Sequence, residues 1–352
     1  MPADFEVGIQ FHLPTFRDVS LTDFIGIGKE AQAGGVQQLW VTDNLQSRNA
    51  FVVLAALAGN IPLKSGTAVT VQYFRNPIDV ADSVATITEL MDGREFSLGI
   101  ARGNRGTPNL VNVVKPVGVL RETAQSIKRL LAGDSVQFKD YPAIAAYFNI
   151  VPERSFKLHF SPKSPVRTYC GGNGPLALEI GGACMDGVLF GGTFQSVARS
   201  GHMGELMAVA DQAAQAAGRT EPLRRVAEIK LSVAADGRKA RDFVRRSAGT
   251  RVLSLRERGY SDDDYRTLGV DPADIDRLAA VEAAGGNVGD RLDLVTEAMI
   301  DAIFVAGDPA QCRAKMTEVA AMAREHGFGQ LMFSELGPDV REGLRLLCDK
   351  VL

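Results

Sequence analysis

Short apolar runs of strand length alternate with longer stretches of helical apolar spacing along nearly the whole chain, and this alternation limits the fold more than any single motif. Residues 5–11 read as a strand. A start signal at Ser20, Thr22 and Asp23 opens a helix over 21–33, and Gly34-Gly35 stops it before a strand at 38–42. Helix 51–58, strand 65–71, helix 79–91, strand 96–100 and helix 119–131 complete four βα units in succession. Between 134 and 165 the rhythm loosens, and residues 137–138 with 157–160 predict a small extra hairpin. It resumes with strand 166–171, helix 175–183, strand 187–190, helix 197–217 and strand 226–234. Residues 241–300 are mostly charged, helical in period and broken by Gly259, Gly269, Pro272 and Gly285-Gly286, which reads as a helical insertion. A strand at 330–334 and a helix at 340–351 close the chain. Eight strands alternating with helices predict one domain over 1–352, a closed α/β barrel of the (β/α)8 or TIM type with insertions at about 134–165 and 241–300.

Composition removes several function classes. With 352 residues, 45% apolar, the chain can bury a large core, and a net charge of −3 gives a polyanionic partner no purchase, so nucleic acid is excluded as a ligand. Cys170, Cys184, Cys312 and Cys348 show no CxxC spacing, and the first residues lack a secretory pattern; free thiols in a cytoplasmic protein are expected. Every apolar run is broken by Gly, Pro or charge well short of the ~18 residues that span a bilayer. His12, His159, His202 and His326 are too dispersed for a metal motif, and GxxxxGK[ST], HExxH and GxSxG are missing. The string Gly26-Ile27-Gly28-Lys29-Glu30-Ala31 fits a dinucleotide pattern but lies inside the helix that begins near residue 21, where no strand precedes it.

In a barrel of this kind chemistry gathers where the strands end. Those ends carry Gln10 and His12; Thr42, Asp43 and Asn44; Ala68, Val69 and Thr70, with Gln72, Tyr73 and Arg75 beyond; Arg102, Gly103 and Asn104; Gly191 and Gly192; and Glu335. The run Gly171-Gly172-Asn173-Gly174-Pro175 reads either as a tight βα turn or as a phosphate cradle. Glycines let backbone N–H groups approach an anion, proline at the first helical turn forfeits no needed hydrogen bond, and a helix N-terminus carries roughly half a positive charge. Arg102 is either the completing cation or a surface ion-pair partner. Arg48, Arg75 and Arg105 add positive charge that meets either a substrate anion or water.

Several motifs together resemble the luciferase-like flavin and deazaflavin oxidoreductases, in particular the coenzyme F420-dependent methylene-tetrahydromethanopterin reductases. They are Leu39-Trp40-Val41-Thr42-Asp43-Asn44, Ser47-Arg48-Asn49, Gly66-Thr67-Ala68-Val69-Thr70, Val114-Lys115-Pro116-Val117, Leu130-Leu131-Ala132-Gly133, the glycine run at 171–175 and Asp186-Gly187, with a looser echo in Val305-Ala306-Gly307-Asp308-Pro309. The resemblance implies a luciferase-like barrel whose third strand ends in a bulge with a non-prolyl cis peptide at Ala68-Val69, set behind the cofactor ring. It implies cofactor contacts from Thr42, Ala68, Val69, Thr70, Arg102, Gly103, Asn104, the run at 171–175, Gly191 and Gly192. Substrate contacts would come from Gln10, Arg48, Tyr73, Arg75 and Glu335. The chain departs from the pattern at Asn44, where relatives often carry His, and at Gln10, where they tend to carry Glu. An Asn hydrogen-bonds but does not donate a proton as His does near neutral pH, so proton transfer passes to Asp43, His12, Glu335 or water.

Three functions follow from the resemblance. One is an F420-dependent oxidoreductase moving hydride between the deazaflavin and a small organic substrate. Another is a monooxygenase using reduced FMN supplied by a flavin reductase; the third is a non-catalytic flavin-binding barrel. Partners implied are an F420-reducing enzyme or flavin reductase as electron donor and a second copy of the chain, a homodimer through the second and third helices, where the apolar run Phe51-Val52-Val53-Leu54-Ala55-Ala56-Leu57 reads either as such a face or as a helix side turned to the core.

Overall fold

The computed structural model describes residues 4–13, 16, 18–44, 47–103 and 110–352. Its strands are β1 (Glu6–Phe11), β2 (Gln38–Val41), β3 (Lys64–Val71), β4 (Phe96–Ala101), β5 (Val136–Gln137), β6 (Ser155–Phe156), β7 (Val166–Gly171), β8 (Gly187–Phe190), β9 (Arg224–Val233), β10 (Val305–Gly307) and β11 (Gln330–Leu336). The main sheet runs β10-β9-β11-β1-β2-β3-β4-β7-β8, with β8 also pairing to β9, so eight strands close a barrel and β10 lies along the end of β9. The register of β1 to β2, and on through β3, β4, β7 and β8, is parallel throughout.

The Cα positions group into two compact units, residues 7–189 with 206–226 and residues 1–6 with 190–205 and 227–352. In the first, Ile9, Leu39, Trp40 and Phe96 are buried, and Phe11, Phe16 and Phe24 pack ring on ring at 5.3–5.6 Å. Helix starts follow capping chemistry. Ser20 accepts from Asp23 N ahead of Leu21–Ala33, Asn49 from Phe51 N ahead of Ala50–Ala58, and Asn76 from Ile78 N ahead of Pro77–Thr88, each answering an N–H that a helix leaves unpaired. In the second unit, Val252, Leu255, Tyr265, Ile275, Leu278, Met299, Ile300 and Phe304 form a core beneath the helices Gly237–Arg256, Asp262–Thr267, Pro272–Ala283 and Glu297–Ile303.

Several boundaries differ from the sequence reading for local reasons. The helices expected at 79–91 and 119–131 start earlier, at Pro77 and Pro116, because proline serves the first helical position. The helix expected at 197–217 is two, Phe194–Arg199 and Met203–Ala216, parted at Gly201 with φ +82°. The small hairpin forms, but Val136 and Gln137 pair antiparallel with Phe156 and Ser155 in place of residues 157–160. β10 was not foreseen: three residues are too short to show a period. Among the described residues no helix is long and apolar enough to cross a membrane.

Candidate active site

β3 carries the most distinctive backbone. Thr67 pairs with Leu98 and Thr70 with Ile100, so one extra residue bulges on the β3 side, and the Ala68–Val69 peptide within that bulge is cis. The strands beyond it, β4 and β7, are cut to fit. A Cβ on Gly171 would stand 2.6 Å from Val69 Cγ1, and Gly99 lies equally tight against the Thr67 carbonyl and Val69. Gln10 reaches across from β1, its Nε2 donating to the Ala68 carbonyl at 2.8 Å. The Val69 carbonyl accepts from Asp43 N at 3.2 Å. The bulge is thus held from the β1 and β2 side of the sheet.

Asp43 is 3% exposed, and its carboxylate accepts from Thr70 Oγ1 at 2.6 Å and from Arg75, whose Nη2 donates at 2.9 Å and whose Nε donates to the other oxygen. Arg75 also lies over the Phe51 ring at 4.9 Å, and the carboxylate raises its pKa further above the usual value. Both residues were expected at the chemistry; the structure joins them in a bidentate pair that braces the end of β3. Asn44 follows with its Oδ1 shut off from solvent and meeting no hydrogen-bond partner among the described residues. Thr42 Oγ1 accepts from Leu13 N at 2.9 Å and so orders the chain just after β1, beside His12. Arg48 donates to the Phe16 carbonyl at 3.2 Å and sits over the Phe24 ring. Tyr73 gives its hydroxyl to the Pro116 carbonyl at 3.1 Å; burial pushes that hydroxyl up to about 12 while Arg102 pulls the other way.

Arg102 is therefore close to Tyr73, and it is exposed at the end of β4, followed by Gly103 with φ +87°. Asn104 and Arg105 lie outside the described residues. The glycine run follows β7: Gly171 is buried, Gly172 donates to the Leu189 carbonyl at 3.1 Å, and Gly174 is the N-cap of Pro175–Cys184. That helix start has no side-chain cap, and Gly174 and Pro175 are exposed, with open space around Gly174. Backbone N–H groups are thus presented to whatever anion arrives. Asn173 is half-buried within the turn.

The other unit holds a charged cluster that sequence reasoning missed except for Glu335. Lys230 on β9, its side chain 2% exposed, sits 2.7 Å from Glu228 and 3.1 Å from Glu335; Arg251 lies 3.9 Å from Glu335, and Ser334 Oγ donates to Glu228 at 2.8 Å. Burial opposes ionisation of Glu228, but Lys230 and Arg251 outweigh it and bring its pKa to about 2. Glu335 and Leu336 adopt φ of +77° and +64°, a left-handed pair without glycine that the packing of the strand end must hold in place. Gly192 leaves the room that the Lys230 stem occupies, since a Cβ there would clash with it, and the Gly191 carbonyl accepts from Thr193 N at 2.7 Å. The signal available in sequence was Glu228 and Lys230, opposite charges two positions apart in a strand and so on one face of it.

Comparison with known proteins places this geometry. A family model described as luciferase-like monooxygenase matches residues 6–326. A 5,10-methylenetetrahydromethanopterin reductase of Methanolobus tindarius is 27% identical over 92% of this chain and 94% of its own, and one of Archaeoglobus fulgidus is 27% identical over 98% of each. The solved coenzyme F420 dependent tetrahydromethanopterin reductase from Methanopyrus kandleri superposes with a TM-score of 0.77 at 21% identity, covering 99% of both chains. An F420-dependent secondary alcohol dehydrogenase, solved with an F420-acetone adduct, superposes at 0.72 and 20% identity over 99% of this chain and 98% of that one. With the family model spanning most of its length, the chain belongs to the luciferase-like monooxygenase family of oxidoreductases.

Proposed function

We propose that this chain is an F420-dependent oxidoreductase that transfers hydride between the deazaflavin and a small organic substrate. The observation that carries the reading is the bulge at Ala68-Val69, pinned by Gln10 and Asp43 and cleared by Gly99 and Gly171. It offers a backbone shelf against which a flat ring can rest. The uncapped helix start at Gly174-Pro175 and exposed Arg102 suit a phosphate tail. The named relatives support the same cofactor. When bound, the deazaflavin supplies two-electron hydride chemistry; the protein's part is orientation and the exclusion of water. Gln10, Thr70 and Asp43 fix the shelf, Asn44 offers a hydrogen bond beside it, and Arg75 keeps Asp43 from acting as a free base.

A second reading, a monooxygenase using reduced FMN, draws on the family description and on the similarity to a Baeyer-Villiger monooxygenase solved with FMN (TM-score 0.66, 17% identity). Titration of the purified protein with F420, FMN and reduced FMN, followed by fluorescence or absorbance, separates the two. Micromolar binding of F420 alone is the expected outcome. Selective binding of reduced FMN overturns it in favour of the oxygenase, and binding of none leaves a barrel without its cofactor.

A further inference from the structure

Three side-chain amides at the ends of adjacent strands carry hydrogen-bonding capacity that no described residue uses. Gln10 on β1 is 3% exposed; its Nε2 is committed to Ala68, but its Oε1 receives nothing. Asn44, just beyond β2, has the buried Oδ1 already described. Gln72, the first residue after β3, is 1% exposed; its amide lies close enough to the Tyr73 hydroxyl to favour that group's ionised form, but neither its Nε2 nor its Oε1 makes a well-formed hydrogen bond with a described residue, and the Tyr73 hydroxyl itself donates to Pro116. Parallel strands lie about 4.8 Å apart, so three neighbours span a patch roughly 10 Å wide, the width of a small substrate. A buried polar group left unpaired is costly, and several at one place point to a ligand that completes them.

The chemistry of that ligand follows from what the patch lacks. Its one carboxylate, Asp43, is taken up by Arg75 and Thr70, and that pair leaves neither charge over. An ionised group buried against neutral amides would lose its hydration without a counter-charge to replace it. A side-chain amide is neutral whichever way it is turned, so the conclusion is independent of which end is O and which N. The unused atoms are three acceptors and one donor.

We propose that Gln10, Asn44 and Gln72 form a neutral subsite selecting substrates whose reacting end is uncharged and joins N–H or O–H donors to a carbonyl or hydroxyl acceptor. This rests on the reading above, in which substrate meets cofactor at the β1–β3 ends, and it names the substrate class. The test uses the full chain, with and without F420, and three probes of matched shape: isobutyramide, isobutyrate and isopropylamine, with binding read by saturation-transfer NMR. Isobutyramide is expected to bind about tenfold tighter than either ion. Asn44→Leu and Gln72→Leu should each erase most of that preference. Gln72→Glu, which keeps the shape and so guards against a failure to fold, should shift it towards isopropylamine. Equal affinities, a preference for isobutyrate, no binding of any probe at tens of millimolar, or amide binding untouched by all three variants would overturn the proposal. F420 affinity, measured separately by fluorescence, tells the two failures apart: a chain that selects the amide but ignores F420 retains the subsite and loses the hydride reading.

Discussion

Asp43 shows how a residue singled out for chemistry serves structure first. A carboxylate beside Asn44 at a strand end is a fair candidate base, and sequence offered no way to see that Arg75, thirty-two positions on, would fold back upon it. The pair is buried, with side-chain exposures of 2% and 10%, so removing one charge strands the other. Asp43→Asn should destabilise the fold by about 3 kcal/mol in chemical denaturation, because a broken buried pair typically costs 3–5 and the amide keeps part of the hydrogen bonding. Glu228 makes a prediction in pH. Its pKa falls from 4.5 to about 2 on folding, so its stabilisation is complete above the unfolded value and is lost as pH drops through the folded one. The wild type should lose about 3 kcal/mol between pH 5 and pH 2 from this group alone. Glu228→Gln should be less stable at neutral pH and show a correspondingly shallower acid slope. A parallel slope in both proteins would mean that Lys230 and Arg251 do not hold the carboxylate ionised.

At the scale of elements, much of the fold was legible because its signals are local. Period, caps and glycine stops placed β7 and β8 to the residue, and Ser20 caps its helix as read. What the sequence hid was set by distant contacts or by elements too short to show a period: β10, the pairing of β5 with β6, and the Lys230 cluster. The bulge is an intermediate case. Nothing in Ala68-Val69 announces it as a local pattern; only family resemblance pointed there, and the physical cause is spread over Gly99 on β4 and Gly171 on β7. This distribution yields a sharp comparison of two glycines in one turn. Gly171→Ala pushes a methyl into Val69 and must displace the shelf, whereas Gly174→Ala meets nothing within 4 Å at an ordinary φ of −117°. The first should weaken cofactor binding at least tenfold, about 1.4 kcal/mol or more, and the second by less than twofold. Equal effects in a fluorescence titration would show that the turn acts through its flexibility alone and not through clearance for the bulge.

For the whole molecule, the expectations concern how the chain associates and how it unfolds. The homodimer expected through the second and third helices would bury Val52, 58% exposed on Ala50–Ala58, and Leu90, 47% exposed just past Pro77–Thr88. Paired substitutions Val52→Lys and Leu90→Lys should convert a dimer to a monomer in light scattering, and a wild type that already runs as a monomer would remove the basis for this face. Cooperativity tests the single-domain expectation. Neither compact unit is a continuous stretch of chain: residues 1–6 group with 190–205 and 227–352, and the helix Met203–Ala216 passes from one grouping to the other between Glu205 and Leu206. A unit whose pieces are separated by nearly two hundred residues closes the intervening chain as a loop whenever it folds, so the folding of each unit constrains the other. Thermal unfolding should therefore give one transition in calorimetry, with calorimetric and van't Hoff enthalpies in agreement. Two resolved transitions, with Glu228→Gln lowering only one, would instead establish the two units as separately folding bodies.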